Sequence, residues 1–212
     1  MRKFLLLGLL ASFVLSMQQS AVGCDLNNPD SDVGRLFPDA TGYRIEYLSI
    51  AARGGDSLLS RIEARLGDKF QGLFETKDVP YIMYRVYRDA ELIGYINGVS
   101  QKGKYGGLQV FLALDTAGTI RDLYFQKLTS RAAAKLRQPS FGRQFAGLSL
   151  RDFYRFDVAS GTEPGGGRIA GLRNPAPETD SDFRAVLRAV KKNLILVDEF
   201  LLGNRHLKYF SQ

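Results

Sequence analysis

The chain has 212 residues and a mass of 23.6 kDa, with 45% hydrophobic and 24% charged residues. That is one core of ordinary size and a globular composition, which excludes a fibrous or disordered chain. One cysteine, Cys24, and one histidine, His206, exclude a disulfide framework, a Cys/His metal cluster and a Cys–His catalytic dyad, and no stretch has the acidic spacing of a calcium loop.

Residues 1–23 open with Arg2-Lys3, continue as an apolar run over 4–17 and end in small and polar residues, the order of a secretory signal. The run is 14 residues long, whereas a membrane-spanning helix needs roughly 20. Cys24 follows Ala21-Val22-Gly23 directly. This resembles the bacterial lipobox, in which small residues precede a cysteine that becomes lipidated; Ala21 stands where Leu is usual. The alternative is a soluble exported protein whose Cys24 is a free thiol. Asp25 after the cysteine resembles the signal that retains lipoproteins at the inner membrane. The formal net charge is +7, and loss of Arg2 and Lys3 with the leader leaves 27 basic against 22 acidic residues, or +5. In an exported protein this basicity points to headgroups, a phosphate-bearing ligand or an acidic partner, not to nucleic acid.

Residues 24–35 are rich in Asn, Asp, Pro and Ser and read as a tether, with the folded body over 36–212. Leu58, Leu59, Ile62 and Leu66 at helical spacing predict a helix over 56–66, with Asp56 or Ser57 as its N-cap and Gly67 as its stop. Two hairpins follow. Tyr81 to Arg88 returns through Asp89-Ala90-Glu91 into 92–96, and 108–114 returns through 115–118 into 119–126. Four such strands form an antiparallel meander that helices must cover. Cover is predicted from an alanine-rich helix over 130–138, a short turn over 141–145, and a long amphipathic helix capped by Ser181 and ending at Gly203. In that helix Phe183, Val186, Leu187, Val190, Leu194, Val197 and Leu201 face the core, while Arg184, Arg188, Lys191 and Lys192 face away. The segment 157–180 is rich in Gly and Pro and reads as a loop. His206, in a basic tail, reads as a surface residue, and Lys102, Lys104 and Tyr105 as a turn able to meet an anion.

Several short motifs occur in a shared order: Leu36-Phe37-Pro38-Asp39-Ala40, Ile93-Gly94-Tyr95, Gly106-Gly107-Leu108-Gln109-Val110, the Asp115 to Gly118 turn, Phe141-Gly142-Arg143-Gln144-Phe145-Ala146-Gly147, and Ser160-Gly161-Thr162 before the basic C-terminal helix. Over about 36–202 this order resembles the extracytoplasmic FMN-binding domain. That domain is found in the C subunit of sodium-translocating NADH:quinone reductase, the G subunit of Rnf complexes and nitrous-oxide regulatory proteins. The resemblance implies an α+β fold and FMN held by a phosphoester to a threonine in a motif resembling Asp-x-x-Ser-Gly-Ala-Thr, installed by a flavin transferase from FAD. Asp157, Ser160 and Gly161 match that motif. Thr162 falls where the family has Ala, and Glu163 stands at the acceptor position; Thr162 becomes the acceptor if the loop shifts by one residue.

Read without the family, Ser160, Thr162, Arg168 and Arg173 around a glycine-rich loop can offer N–H groups, hydroxyls and guanidinium forks to a phosphate. The function so implied is an exported, membrane-anchored FMN protein serving electron transfer, with a membrane redox complex and the flavin transferase as partners. It would sit on the periplasmic side of the inner membrane, lipid-anchored through Cys24. FMN would carry the redox chemistry, so no acid–base pair is required. The rival is a member of the same fold that has lost flavinylation and serves as a binding or assembly module for an envelope or redox complex. No nucleophile has a base at hand, and a hydrolase drops out.

Overall fold

The computed structural model describes residues 24–71 and 75–210. The expected signal over 1–23 lies outside the described residues. Five strands form one antiparallel sheet in the order β1 (Gly42–Leu48), β2 (Tyr81–Arg88), β3 (Glu91–Lys102), β4 (Gly107–Leu114) and β5 (Ile120–Leu128). The fold is therefore α+β around a meander, as the sequence predicts. Asp89, at φ 53°, turns β2 into β3. Asp115 turns β4 into β5, its Oδ1 accepting from the N–H groups of Ala117 at 2.9 Å and Thr119 at 2.8 Å. The four predicted strands are present, and β3 runs six residues beyond its expected end at Ile96. β1 is an addition: it pairs with β2 through Ile45↔Tyr84.

Both faces of the sheet are covered. On one, Tyr95 and Val99 of β3 and Leu108, Val110, Leu112 and Leu114 of β4 pack under α3 (Gly55–Leu66) and the long α7 (Asp180–Phe200). Asn193 of α7 reaches the centre of the sheet, its Nδ2 donating to the Asn97 carbonyl at 2.8 Å. Gly67, left-handed at φ 77°, stops α3 where the sequence places the stop; the N-cap is Gly54 and not Asp56 or Ser57. Thr179, not Ser181, occupies the N-cap of α7, and its last residue is Phe200. The alanine-rich segment forms only α4 (Ala133–Leu136), followed by α5 (Pro139–Gly142) and a 3₁₀ turn over Arg143–Phe145.

The other face corrects the expectation of a tether over 24–35. That segment contains α1 (Pro29–Leu36), started by the Asn28 side chain accepting from the Ser31 N–H at 3.3 Å, with Pro29 at its first position. Cys24, Leu26, Val33, Leu36 and Phe37 pack on Ile82, Tyr84, Val86, Ile96, Phe111 and Ala113. Few apolar residues suffice because each lands on the sheet. The described residues also include two short α-helices, α2 (Ile50–Arg53) and α6 (Leu150–Phe153), the latter fixed by a Ser149/Asp152 capping box, and 3₁₀ turns over Pro177–Thr179 and Leu207–Tyr209.

The outward face expected for α7 holds at Arg184, which is exposed, and is corrected at the other three cations. Arg188, Lys191 and Lys192 are 8%, 3% and 1% exposed. The helix is flanked on both sides, so its charged stripe is enclosed and each cation finds an oxygen: Lys191 donates to the Phe156 carbonyl at 2.7 Å and Lys192 to the Ser100 carbonyl at 2.7 Å.

Candidate functional site

The structure brings Asp157, Ser160, Gly161 and Thr162 together in one tight turn. Asp157 and Thr162 form an isolated antiparallel bridge, with the Asp157 N–H donating to the Thr162 carbonyl and the Gly161 N–H to the Asp157 carbonyl, both at 2.8 Å. The Asp157 carboxylate accepts from the Ala159 N–H and the Ser160 hydroxyl, each at 2.8 Å, and Ser160 Oγ lies 2.8 Å from Thr162 Oγ1. The Ser160 hydroxyl, then the Ala159 N–H, hold the Asp157 carboxyl below its usual range. Gly161 is required: at φ +73° any Cβ is strained, and here it would meet the Arg184 side chain, with Cγ at 2.9 Å.

Of the basic side chains around this turn, those of Arg184 and Arg168 already have partners. Arg184 donates to the Ser160 carbonyl at 3.1 Å and is paired with Asp180. Arg168 reaches away to the Gly147 carbonyl at 2.8 Å, and Arg173 is joined to Gln144 through its backbone. Glu163 accepts from the Ala170 N–H at 2.9 Å and so closes its own loop. Beneath the turn lies Lys191, its pKa lowered to about 8 by burial against an opposing pull from Asp157. A phosphate cradle needs unspent N–H groups, and this turn spends those of Asp157, Ala159 and Gly161 on itself.

A second feature, one turn further along α7, is a cleft of about 670 Å³. The volume is that of a small-molecule site. It lies between the β3–β4 turn and the side chains of Asp68, Gln71 and Glu75, and is lined by Lys102, Gly106, Gly107, Gln109, Lys127 and Arg188 among others. Ser100, Gln109 and Lys127 form one row across β3, β4 and β5. Asp182 fixes the rim, accepting from the Lys104 N–H at 2.9 Å and the Ser130 hydroxyl at 2.6 Å. Gly106, at φ +152°, passes so close to Thr129 that a Cβ would lie 2.7 Å from its methyl group.

One wall of the cleft is a buried ionic cluster. Arg188 donates to Asp68 at 2.9 Å, to Glu75 at 2.7 Å, to Gln101 at 2.7 Å and to the Lys69 carbonyl at 3.0 Å, while Lys192 pairs with Glu75. Burial alone raises the Glu75 pKa, but Lys192 and Arg188 outweigh it and hold the carboxyl below its ordinary range. Sequence reasoning missed this cluster, because hydrophobic periodicity assigns charged positions to solvent. Lys102 and Lys127 have no carboxylate partner among the described residues, so the cleft carries two uncommitted cations beside three glutamine amides, those of Gln71, Gln101 and Gln109.

Cys24 lies on the α1 face of the sheet, 4% exposed, its Sγ 2.9 Å from the hydroxyl of Ser100, a residue that also lines the cleft. Burial raises its thiol pKa. A thioether on that sulfur has no room while Cys24 keeps this seat. His206 corrects the surface expectation: it is 8% exposed, with Nδ1 3.0 Å from Asp198. Among the described residues no cluster of His, Cys, Asp and Glu could hold a metal, and no helix is long and apolar enough to cross a membrane. Comparison with protein-family models and with curated proteins finds no match for the chain.

Proposed function

We propose that the chain is an exported FMN-binding protein, anchored through Cys24 at the periplasmic side of the inner membrane and serving electron transfer in a membrane redox chain, with FMN held in the cleft without a covalent bond. The observation that carries this reading is the cleft of about 670 Å³ with uncommitted Lys102 and Lys127. FMN has one doubly charged end and one planar apolar body. Lys102 and Lys127 would meet the phosphate, and the glutamine amides would meet the polar edge of the ring. When bound, FMN supplies the redox chemistry. The protein binds it, keeps Arg188 and Glu75 rigid beside it and shields one side from water.

Thr162 is the acceptor in the covalent form of the same reading: its hydroxyl would bond the FMN phosphorus as AMP leaves FAD, and its proton would pass through Ser160 toward Asp157. The turn offers the hydroxyl relay for that step but not the N–H groups that would hold the product. The second reading, a non-flavinylated binding or assembly module of the same fold, draws on this self-satisfied turn and on Glu163 at the usual acceptor position. Titration of free FMN into the purified protein separates the two. Flavin fluorescence is expected to quench with a Kd that rises about tenfold or more in Lys102→Gln/Lys127→Gln and stays unchanged in Thr162→Ala. No quenching would favour the module.

A further inference from the structure

The two edges of the sheet are treated oppositely. Along β5 the chain covers its own backbone: Arg137 donates to the Phe125 carbonyl, the Gly147 N–H to the Ile120 carbonyl at 2.8 Å, and the Ile120 N–H to the Leu148 carbonyl at 2.8 Å. Along β1 nothing comparable occurs. Its seven residues pair with β2 alone, and among the described residues no other backbone group bonds Gly42–Leu48. The strand carries no proline or bulge to blunt it, although exposed edges usually do. It also holds Ile45 and Tyr47, exposed at 37% and 63%.

We infer that β1 is a dimer edge: two copies pair antiparallel through their β1 strands about a two-fold axis at Ile45, making one continuous ten-stranded sheet. The side chains of β1 select both the partner and the register. With the axis at Ile45, Arg44 faces Glu46 of the second copy and Glu46 faces Arg44, while Tyr43 faces Tyr47 and Ile45 faces Ile45. Moving the axis by one residue sets Arg44 against Arg44 or Glu46 against Glu46, which like-charge repulsion opposes. Arg44 has no carboxylate partner among the described residues and only rests over the Tyr87 ring at 5.3 Å. Glu46 is paired with Arg85 and retains a second oxygen. Tyr43, Ile45 and Tyr47 share one face, so the pairing also joins two short apolar stripes into one.

The test is sedimentation equilibrium of the exported protein in a density-matched detergent, over a wide concentration range. The wild type is expected to dimerise. Arg44→Glu alone and Glu46→Arg alone should each weaken the homodimer at least about tenfold. A mixture of the two variants should form a heterodimer, because every facing pair then carries opposite charges. A wild type that stays monomeric throughout would overturn the inference, and so would a dimer that both charge variants leave intact. Since Glu46→Arg also breaks the pair with Arg85, recovery in the mixture shows that this chain remains folded.

Discussion

Lys191 is the residue whose titration should be most visible in folding. Its pKa in the folded protein is lowered to about 8 by burial, from an ordinary 10.5. Between those values the unfolded chain keeps the proton that the folded chain has shed, so stability rises with pH over this window. The Lys191 contribution should amount to about 2 kcal/mol between pH 8 and 10, measured by urea unfolding as the difference between wild type and Lys191→Met, since buried Lys192, also lowered, adds a rise of the same sign to both. A free Cys24 works in the other direction, because burial raises its thiol pKa and the unfolded chain loses that proton first. The difference between wild type and variant cancels the Cys24 contribution. Arg65 is the opposite case, a cation that must stay charged. Its side chain is 0% exposed, paired with Asp198 and, at 2.6 Å, with Glu199, and it joins α3 to α7. Arg65→Leu leaves buried Asp198 with His206 alone and Glu199 with Arg61 alone, and a loss of about 3 kcal/mol in urea unfolding is expected. None of these burials is legible in the sequence. The stripe of Arg188, Lys191 and Lys192 has the spacing of a solvated face, and only the packing of Phe156, Glu75 and Ser100 around α7 turns it inward.

At the scale of elements, the amino-terminal segment behaves as a strap over the second face of the sheet. A Cβ on Gly94 would press first into the Leu114 carbonyl of β4 and would also come within 2.6 Å of the Phe37 ring of the strap. Gly94→Ala should therefore cost about 2 kcal/mol and make residues 24–37 markedly more sensitive to protease, read from the mass of the first fragments. Strands β2 to β5 and helices α3 and α7 are legible because their apolar residues recur with the period of the element and their turns carry Asp or Gly. The strap is not, since only Leu26, Val33, Leu36 and Phe37 are apolar in a polar run, yet Asn28-Pro29 is a helix start that the sequence does display. In β1 the alternation of Tyr43, Ile45 and Tyr47 is present but half exposed, which weakens its contrast with the loops around it.

For the whole molecule, α7 links the two candidate sites: Arg184 holds the Asp157–Thr162 turn, and Arg188, one turn later, walls the cleft. The members of the turn were legible because they are contiguous, whereas the cleft gathers residues from Asp68 to Arg188 and no linear motif announces it. In the sequence it is marked only by Lys102 and the run Gly106-Gly107-Leu108-Gln109, while Arg188 reads as a solvated position. The seat of Cys24 against Ser100 bears on anchoring. While the thiol is free, native protein should resist alkylation that denatured protein undergoes at once, and an acylated Cys24 would have to leave this seat, freeing the strap's first residues beside the cleft. Equal alkylation rates in the native and denatured protein would remove Cys24 from the buried seat.

The most direct test of the central claim is the visible absorption of the protein purified from cells that also express a flavin transferase, recorded before and after denaturation and filtration. A yellow native protein whose colour passes the filter on denaturation is the expected result, with one FMN released per chain. Colour retained on the polypeptide and lost in Thr162→Ala would contradict non-covalent binding in the cleft, and a colourless protein that fails to quench added FMN would contradict flavin binding altogether.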